Sequence, residues 1–261
     1  MQKRHTDKEQ YFLEQIYTTE KYVVPFISDV KKITNDLKVL EIGCGEAGNL
    51  KPFLDKGCSC VGIDFSESKI QNGIEYFATH PNAKNLRLIS EDIYKTNEFH
   101  NQFDIIIIRD VIEHIHDQDK FLRLIKDLMA PNALIFVAFP PWQSPFGGHQ
   151  QICENKLLSV FPYFHLLPMS LYKAVLKLFG ESDGRISGLL EIKETGISLE
   201  GFERLCKKNG YVELSKTFYF INPNYEVKFG LKPRKLVKIF GMIPFFRNCV
   251  STCGYYLLAL K

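Results

Sequence analysis

A chain of 261 residues with 45% hydrophobic content can bury one large core, or one core with an inserted subdomain. Its net charge of +3 is too small to argue for a nucleic-acid partner. Seven cysteines, an odd number without framework spacing, exclude a disulfide scaffold and read as free buried thiols of a cytoplasmic protein. The opening Met1-Gln2-Lys3-Arg4-His5 leads into charge rather than an apolar run, so no signal peptide is expected. No stretch reaches the roughly 18 uncharged apolar residues of a spanning helix.

Residues 8–33 read as helical: Phe12, Ile16, Val23, Ile27 and Val30 recur at helical spacing, with Pro25 as a kink or boundary. The first strand is Lys38–Ile42. It runs into Gly43-x-Gly45-x-x-Gly48, and a helix follows over Gly48–Lys56, stopped by Gly57. Glycine serves such a loop where φ must be positive and where a ligand approaches the backbone. Glu41 lies inside the strand end, where a buried carboxylate has no packing purpose. The second strand, Ser59–Asp64, ends in an acid about twenty residues after the first glycine, a spacing suited to ribose hydroxyls. A helix capped by Ser66 or Ser68 runs to about His80. The third strand, Leu86–Ser90, precedes Glu91-Asp92-Ile93. The fourth, Phe103–Ile108, is a continuous apolar run of the kind buried on both faces of a parallel sheet. Arg109-Asp110-Val111-Ile112-Glu113-His114 follows it. A helix over Asp117–Met129 presents Phe121, Leu124, Ile125 and Leu128, and the fifth strand is Ala133–Phe139.

This strand–helix alternation over 38–139 predicts an α/β doubly wound sheet, in which ligands bind beyond the carboxyl ends of the strands. Gly43–Gly48, Asp64, Asp92, Asp110 and Pro140 all fall there. The alternation stops at Pro140. An aromatic, apolar stretch from 142 to 194 reads as a lid over the substrate, or as a helical hairpin on the sheet edge. A helix over Leu199–Lys208 and strands at Tyr211–Phe220 and Gly254–Leu260 complete the chain. From Lys207 to Lys261 ten Lys/Arg face two acids, Glu213 and Glu226. The Lys228–Cys249 stretch has the profile of a helix resting on an anionic apolar surface, or of a core helix with snorkelling lysines.

Leu40-Glu41-Ile42-Gly43-Cys44-Gly45 resembles motif I of the class I S-adenosylmethionine-dependent methyltransferases, and Asp110-Val111-x-Glu113-His114 resembles their segment after the fourth strand. The resemblance covers 38–139 well and 195–261 in outline. It implies a seven-stranded Rossmann-like sheet whose last strand is antiparallel, with an N-terminal helical cover (1–37), a core (38–141 and 195–261) and an inserted lid (142–194). It implies S-adenosylmethionine as cofactor, bound by Glu41, Gly43, Cys44, Gly45, Asn49, Asp64, Phe65, Asp92, Ile93, Arg109 and Asp110. Asp92 would meet the adenine amino group; otherwise it is a loop residue making an Asx-turn.

The reaction implied is methyl transfer, most simply to a hydroxyl, with His149 or His114 as general base. Trp142, Phe146, His149 and Tyr163 are the expected acceptor contacts. Ala138-Phe139-Pro140-Pro141 departs from the D/N-P-P-Y/F tetrad of amino-group methyltransferases. Asp110, Glu113, His114 and His149 also resemble the metal site of small-RNA 2′-O-methyltransferases and of ubiquinone-pathway O-methyltransferases, with Asp110 where those carry Glu. The acceptor expected is small, hydrophobic or lipid- or glycan-linked, with peripheral membrane contact as an option and no obligate protein partner. An RNA 2′-O-methyltransferase, a hydride-transferring Rossmann enzyme and a non-catalytic binding module remain the alternatives.

Overall fold

The computed structural model describes residues 8–261; the first seven residues of the expected N-terminal cover lie outside the described residues. The helical start is α1 (Lys8–Thr18), a π-helical turn at Thr19–Val23 and α2 (Val24–Ser28). The sheet then begins with β1 (Lys38–Ile42), a short 3-10 turn at Gly48–Leu50, α3 (Lys51–Asp55), β2 (Ser59–Asp64), α4 (Glu67–Phe77) and β3 (Leu86–Ser90). β4 (Phe103–Arg109), α5 (Gln118–Leu128) and β5 (Met129–Phe139) complete the alternating part. After it come α6 (Lys156–Val160), α7 (Met169–Leu178), α8 (Asp183–Thr195), α9 (Leu199–Lys208) and β6 (Tyr211–Ile221). The last elements are α10 (Asn224–Phe229), β7 (Arg234–Lys235), α11 (Lys238–Gly241), α12 (Phe246–Val250) and β8 (Cys253–Leu260).

The sheet order is β3-β2-β1-β4-β5-β8-β6-β7. Strands β1 to β5 pair in parallel. β8 enters antiparallel between β5 and β6, as the resemblance implied. The eighth strand was not expected. It is a two-residue edge, β7, in which Lys235 lies opposite Tyr219 and the next amide, Leu236 N, donates to Phe218 O at 2.7 Å.

Two apolar clusters cover the two faces, and the isoleucine run of β4 supplies both. Ile106 and Ile108 face the cluster holding Phe121, Ile125 and Phe202; Ile105 and Ile107 face the one holding Phe53, Leu50 and Ile27. Alternate residues of a strand point to opposite faces, so a strand apolar on both must sit inside the stack.

Two sequence expectations need correction, the start of β5 and the Lys228–Cys249 helix. β5 begins at Met129 rather than Ala133, because the strand tolerates an irregular register beside Phe103 and a left-handed Asn132 (φ 60°). The stretch 142–194 is largely helical, in keeping with the helical form offered for it from sequence, and α7 and α8 close a small core of their own around Tyr172, Leu176, Ile186 and Leu189. The Lys228–Cys249 stretch is not one helix. Gly230 takes φ 69° after α10, and Pro233 and Pro244 bar continuous helix, so the segment breaks into α10, β7, α11 and α12. All seven cysteines are free, six of them buried. Among the described residues no helix is long and apolar enough to cross a membrane.

Candidate functional site

The site grows from the turn after β1. Gly43 N and Cys44 N both donate to Ile63 O, at 2.8 and 3.1 Å, tying the loop to the end of β2. Gly43 and Gly45 have φ of 71° and 56°, in the left-handed region that glycine enters without strain. A Cβ on Gly43 would lie 2.5 Å from Val111 Cγ2. Gly43→Ala is therefore expected to destabilise the domain by about 2–3 kcal/mol, and a thermal melt checks it: an unchanged midpoint would refute the steric account. Gly48, the third glycine, serves another purpose. A Cβ there would meet Phe12 O at 2.6 Å, so Gly48 lets α1 lie directly on the loop.

Asp64 holds this turn from both sides. Its Oδ2 accepts from Gly45 N at 2.9 Å and its Oδ1 from Ser66 N at 2.8 Å, which leaves lone pairs on both oxygens for hydroxyl donors. Phe65 beside it is 85% exposed, an aromatic face open at the rim of the loop. Cys44 and Ile93 are buried. Asp92 is exposed, and its Oδ1 accepts from Tyr94 N at 3.0 Å, the Asx-turn that the sequence left as one option; its other oxygen is open to an adenine amine.

Below the loop is a buried polar network. Asn49 Nδ2 donates to Glu41 Oε1. Asn49 Oδ1 accepts from Arg109 Nη1 at 2.9 Å and from Thr19 Oγ1 at 2.7 Å. Glu41 Oε2 has no partner among the described residues, and burial pushes the carboxyl up to about 8 against the pull of Asn49 and Arg109. Thr19 could not have been picked from sequence: it opens the π-helical turn, and such turns often mark functional positions.

Next to the loop lies a cavity of about 500 Å³. Its floor is Asp110, Glu113 and His114 from the turn after β4. One wall is Ser144, Phe146, His149 and Ile152, from the chain that leaves β5. The other comes from the two far ends of the chain, Tyr11 and Glu14 of α1 facing Asn224, Tyr225 and Lys228 of α10. The ends are fastened to each other: Glu226 Oε2 accepts from Tyr17 OH, Lys21 Nζ and Tyr22 OH. Lys21 and Tyr22 hold the Glu226 carboxyl down to about 2. Of the expected acceptor residues, Phe146 and His149 line this cavity and Trp142 and Tyr163 do not. Trp142 stands edge-on to His165, 4.7 Å between ring centres, at the base of the insertion. Tyr163 donates its hydroxyl to Cys249 O at 2.9 Å. The α1 and α10 residues escaped the sequence reading because nothing in it joins positions more than 200 apart.

At the floor, ligand atoms of Glu113, His114 and His149 all lie within 4.8 Å of one another. The two imidazole rings meet edge-on, 5.1 Å between centres. Both Glu113 oxygens are buried without a partner among the described residues. Burial and the neighbouring Asp110 raise the Glu113 carboxyl well above its usual range. Enclosure in the cavity and the adjacent His114 push the His149 imidazole down to about 3. Enclosure also lowers His114, against the pull of Asp110. Asp110, with φ of 54°, lines the cavity but is not in this trio.

Residues 16–165, more than half of the chain, match the family model described as a methyltransferase domain. The chain belongs to that family. Curated relatives of the methyltransferase domain include a ubiquinone biosynthesis O-methyltransferase of Pelagibacter ubique (strain HTCC1062), 28% identical over 123 residues that cover 47% of this chain and 50% of the relative. A ubiquinone biosynthesis O-methyltransferase of Rhizobium etli is 35% identical over 107 residues, covering 39% of this chain and 40% of the relative. The methyltransferase domain thus spans about half the length of the curated relatives it matches. Among solved structures, the geranyl diphosphate C-methyltransferase of Streptomyces coelicolor A3(2), in complex with Mg2+, geranyl diphosphate and S-adenosyl-L-homocysteine, superposes with TM-score 0.56 at 12% identity, over 93% of this chain and 80% of that one. PKMT2 of Rickettsia typhi, in complex with AdoHcy, does so with TM-score 0.55 at 19% identity, over 93% and 53%. At such identities the superpositions show the fold. The methyltransferase domain is of the class I, S-adenosylmethionine-dependent kind.

Proposed function

We infer that the domain transfers a methyl group from S-adenosylmethionine to a hydroxyl oxygen of a small, hydrophobic acceptor, with Glu113, His114 and His149 holding a divalent cation beside that oxygen. The cluster of these three side chains carries the reading. A buried carboxylate with neither oxygen satisfied costs several kcal/mol in an apolar site, and a cation is the partner that removes the cost. One carboxylate and two imidazoles suit manganese, iron, cobalt or zinc better than magnesium. An imidazole whose conjugate acid forms only near 3 is a poor proton acceptor at neutral pH, but its lone pair is free for a metal. His149 is therefore better suited to holding a cation than to the base role read from sequence.

The cofactor's fit rests on the loop. Glu41 Oε2 is a buried polar atom without a partner among the described residues, Asp64 keeps lone pairs for two hydroxyls, and Phe65 offers a ring face. Bound S-adenosylmethionine supplies a methyl already activated on a sulfonium, and a bound cation supplies Lewis acidity that favours the ionised acceptor hydroxyl. The chain's own contribution is alignment and exclusion of water by Tyr11, Phe146, Ile152 and Tyr225 around the cavity; alignment is worth roughly 7–11 kcal/mol of barrier. The acceptor-facing wall comes from the first residues of the 142–194 insertion, which is the part of the chain that selects the acceptor. The curated relatives are named as O-methyltransferases of ubiquinone biosynthesis, which supports oxygen as the receiving atom, and a volume of about 500 Å³ falls in the range of small-molecule sites.

The test is methylation of a catechol by metal-free enzyme, with and without added manganese or zinc. Stimulation by the metal and its loss on chelation are expected. Full activity in excess chelator would remove the cation from the reading; transfer to amines but not to catechols would remove the hydroxyl.

Glu113 also makes a prediction about stability. Its folded pKa lies above its unfolded one, so as pH rises through the ordinary carboxylate range the unfolded chain gives up a proton that the folded chain keeps. Stability of the metal-free domain falls over that window, by up to about 1.4 kcal/mol per pH unit. Glu113→Gln removes this loss. The variant is expected to melt above the metal-free wild type at neutral pH, and to gain nothing at pH below the ordinary carboxylate range. A flat difference across pH would contradict the assignment.

A further inference from the structure

The segment after α10 is held at both ends and bare in between. At its start, Lys235 and Leu236 are tied to β6 by the β7 pairing. At its end, Phe245 N donates to Glu200 Oε1 at 2.9 Å, and the Arg247 guanidinium reaches Glu200 Oε1 and Glu203 Oε2, both at 2.7 Å. Between these anchors the apolar side chains point to water. Ile239 is 63% exposed, Met242 80% and Phe245 72%, and Phe245 has φ of 63°, outside the ordinary region for an aromatic residue. A segment pinned on either side and projecting large apolar groups is a contiguous apolar patch, not a scatter of single exposed residues.

The charge carried by the segment itself has one sign, and Glu200 and Glu203, the acids that reach it from α9, are taken up by Arg247 at its far anchor. From Val227 to Lys261 there is no acidic residue and there are seven basic ones. Arg247 is paired, as described, and Lys228 lies over the Tyr11 ring. Lys232, Arg234, Lys235 and Lys238 make no ion pair with any described residue. We propose that this surface, basic side chains on β7 and apolar ones on α11 and its flanks, docks the domain on an anionic phospholipid bilayer. The apolar side chains enter the headgroup–acyl boundary and the lysines and arginine face lipid phosphates. The combination excludes the two plainer occupants. A basic groove for RNA has no use for exposed isoleucine and methionine at its centre, and a second copy of the chain would bring another acid-free basic face against this one.

The segment that carries the patch continues directly from a wall of the cavity. α10 gives Tyr225 and Lys228 to the cavity wall and leads through Gly230 directly into the basic segment. On the other side, the Tyr163 hydroxyl bound to Cys249 O joins the tip of the insertion to it. A docked domain would thus take a lipid-soluble acceptor from the bilayer plane. The docking itself rests on the surface alone and holds whatever the acceptor is.

The experiment is co-sedimentation of the full chain with vesicles of phosphatidylcholine, and with vesicles holding equimolar phosphatidylglycerol, at low and high salt. Binding to the anionic vesicles alone, weakened by salt, is expected. The triple variant Lys232→Ala, Arg234→Ala, Lys235→Ala should partition roughly a hundredfold less, about fivefold for each charge. Ile239→Ser with Met242→Ser should lose binding while keeping every charge. All these positions are outside the cofactor site, so unchanged S-adenosylmethionine binding shows that the variants are folded. Equal sedimentation of wild type and both variants would overturn the proposal. So would a shift of single-stranded RNA without vesicle binding, or self-association abolished by Ile239→Ser with no affinity for lipid.

Discussion

His149→Ala is expected to lower turnover about a thousandfold while leaving the affinity for S-adenosylmethionine unchanged. The side chain lies against His114 and Glu113 in the cavity, and no described contact joins it to the glycine loop. Removing one of three ligand groups should forfeit the several kcal/mol that a Lewis acid contributes to the transition state. Two measurements separate this role from that of a proton acceptor. The variant should no longer retain manganese after dialysis, and small imidazole added to the buffer should fail to restore activity without metal. Rescue by imidazole in the presence of chelator would return His149 to the base role. Alanine keeps a Cβ at φ 54°, so the replacement relieves no backbone strain, and the unchanged S-adenosylmethionine affinity is what shows that the variant is folded.

Asp64→Ala should weaken S-adenosylmethionine binding on the order of a hundredfold, since hydrogen bonds to a charged group contribute about 1.5–3 kcal/mol each. Its two oxygens already take Gly45 N and Ser66 N, so the carboxylate both shapes the loop and faces the ligand. Asp64→Asn separates these two functions. The one amide oxygen can take only one of the two backbone N–H groups, so the loop is held in part while the charge is lost, and an intermediate affinity is expected. Calorimetric titration of both variants checks the order; equal affinity in wild type and alanine variant would place the cofactor elsewhere.

The alternating sheet was legible because its signals are local. The unbroken Ile105–Ile108 run announces a strand buried on two faces, and Asp64 announces itself by position, at the end of a short apolar run and a fixed distance from the glycines. His114 and Glu113 were legible for the same reason, as near neighbours in one turn. What could not be read was whatever depends on distant residues meeting. Thr19 in its π-turn, the α10 wall and the Tyr17–Lys21–Tyr22 hold on Glu226 all require the chain's two ends to come together. The broken C-terminal segment was misread as one helix because the apolar and basic pattern outweighed Pro233 and Pro244, each of which removes a backbone donor. Trp142 was misplaced for a related reason. An aromatic residue just after β5 resembles a pocket residue, but here it caps the insertion against His165 and Lys193.

The position of β8 has a consequence for how the domain comes into being. β5 and β6 are not neighbours; β8 lies between them, bonded to both. A ribosome has therefore made β1 to β6 and the whole insertion before the strand that joins the two halves of the sheet exists, and the cavity wall from α10 can lock onto α1 only at that stage. The nascent chain can pair its parallel strands early, since β1 to β5 bond to one another without β8, while part of their apolar cover, Phe202 of α9 and Tyr255 and Tyr256 of β8, arrives later. On the proposed function, the cofactor and acceptor sites would mature separately in time, the glycine loop first and the α10 wall last. An unfinished chain is then expected to bind cofactor before it has a reaction chamber, with ligand protection of the early part preceding activity by the time needed to synthesise the remainder of the chain.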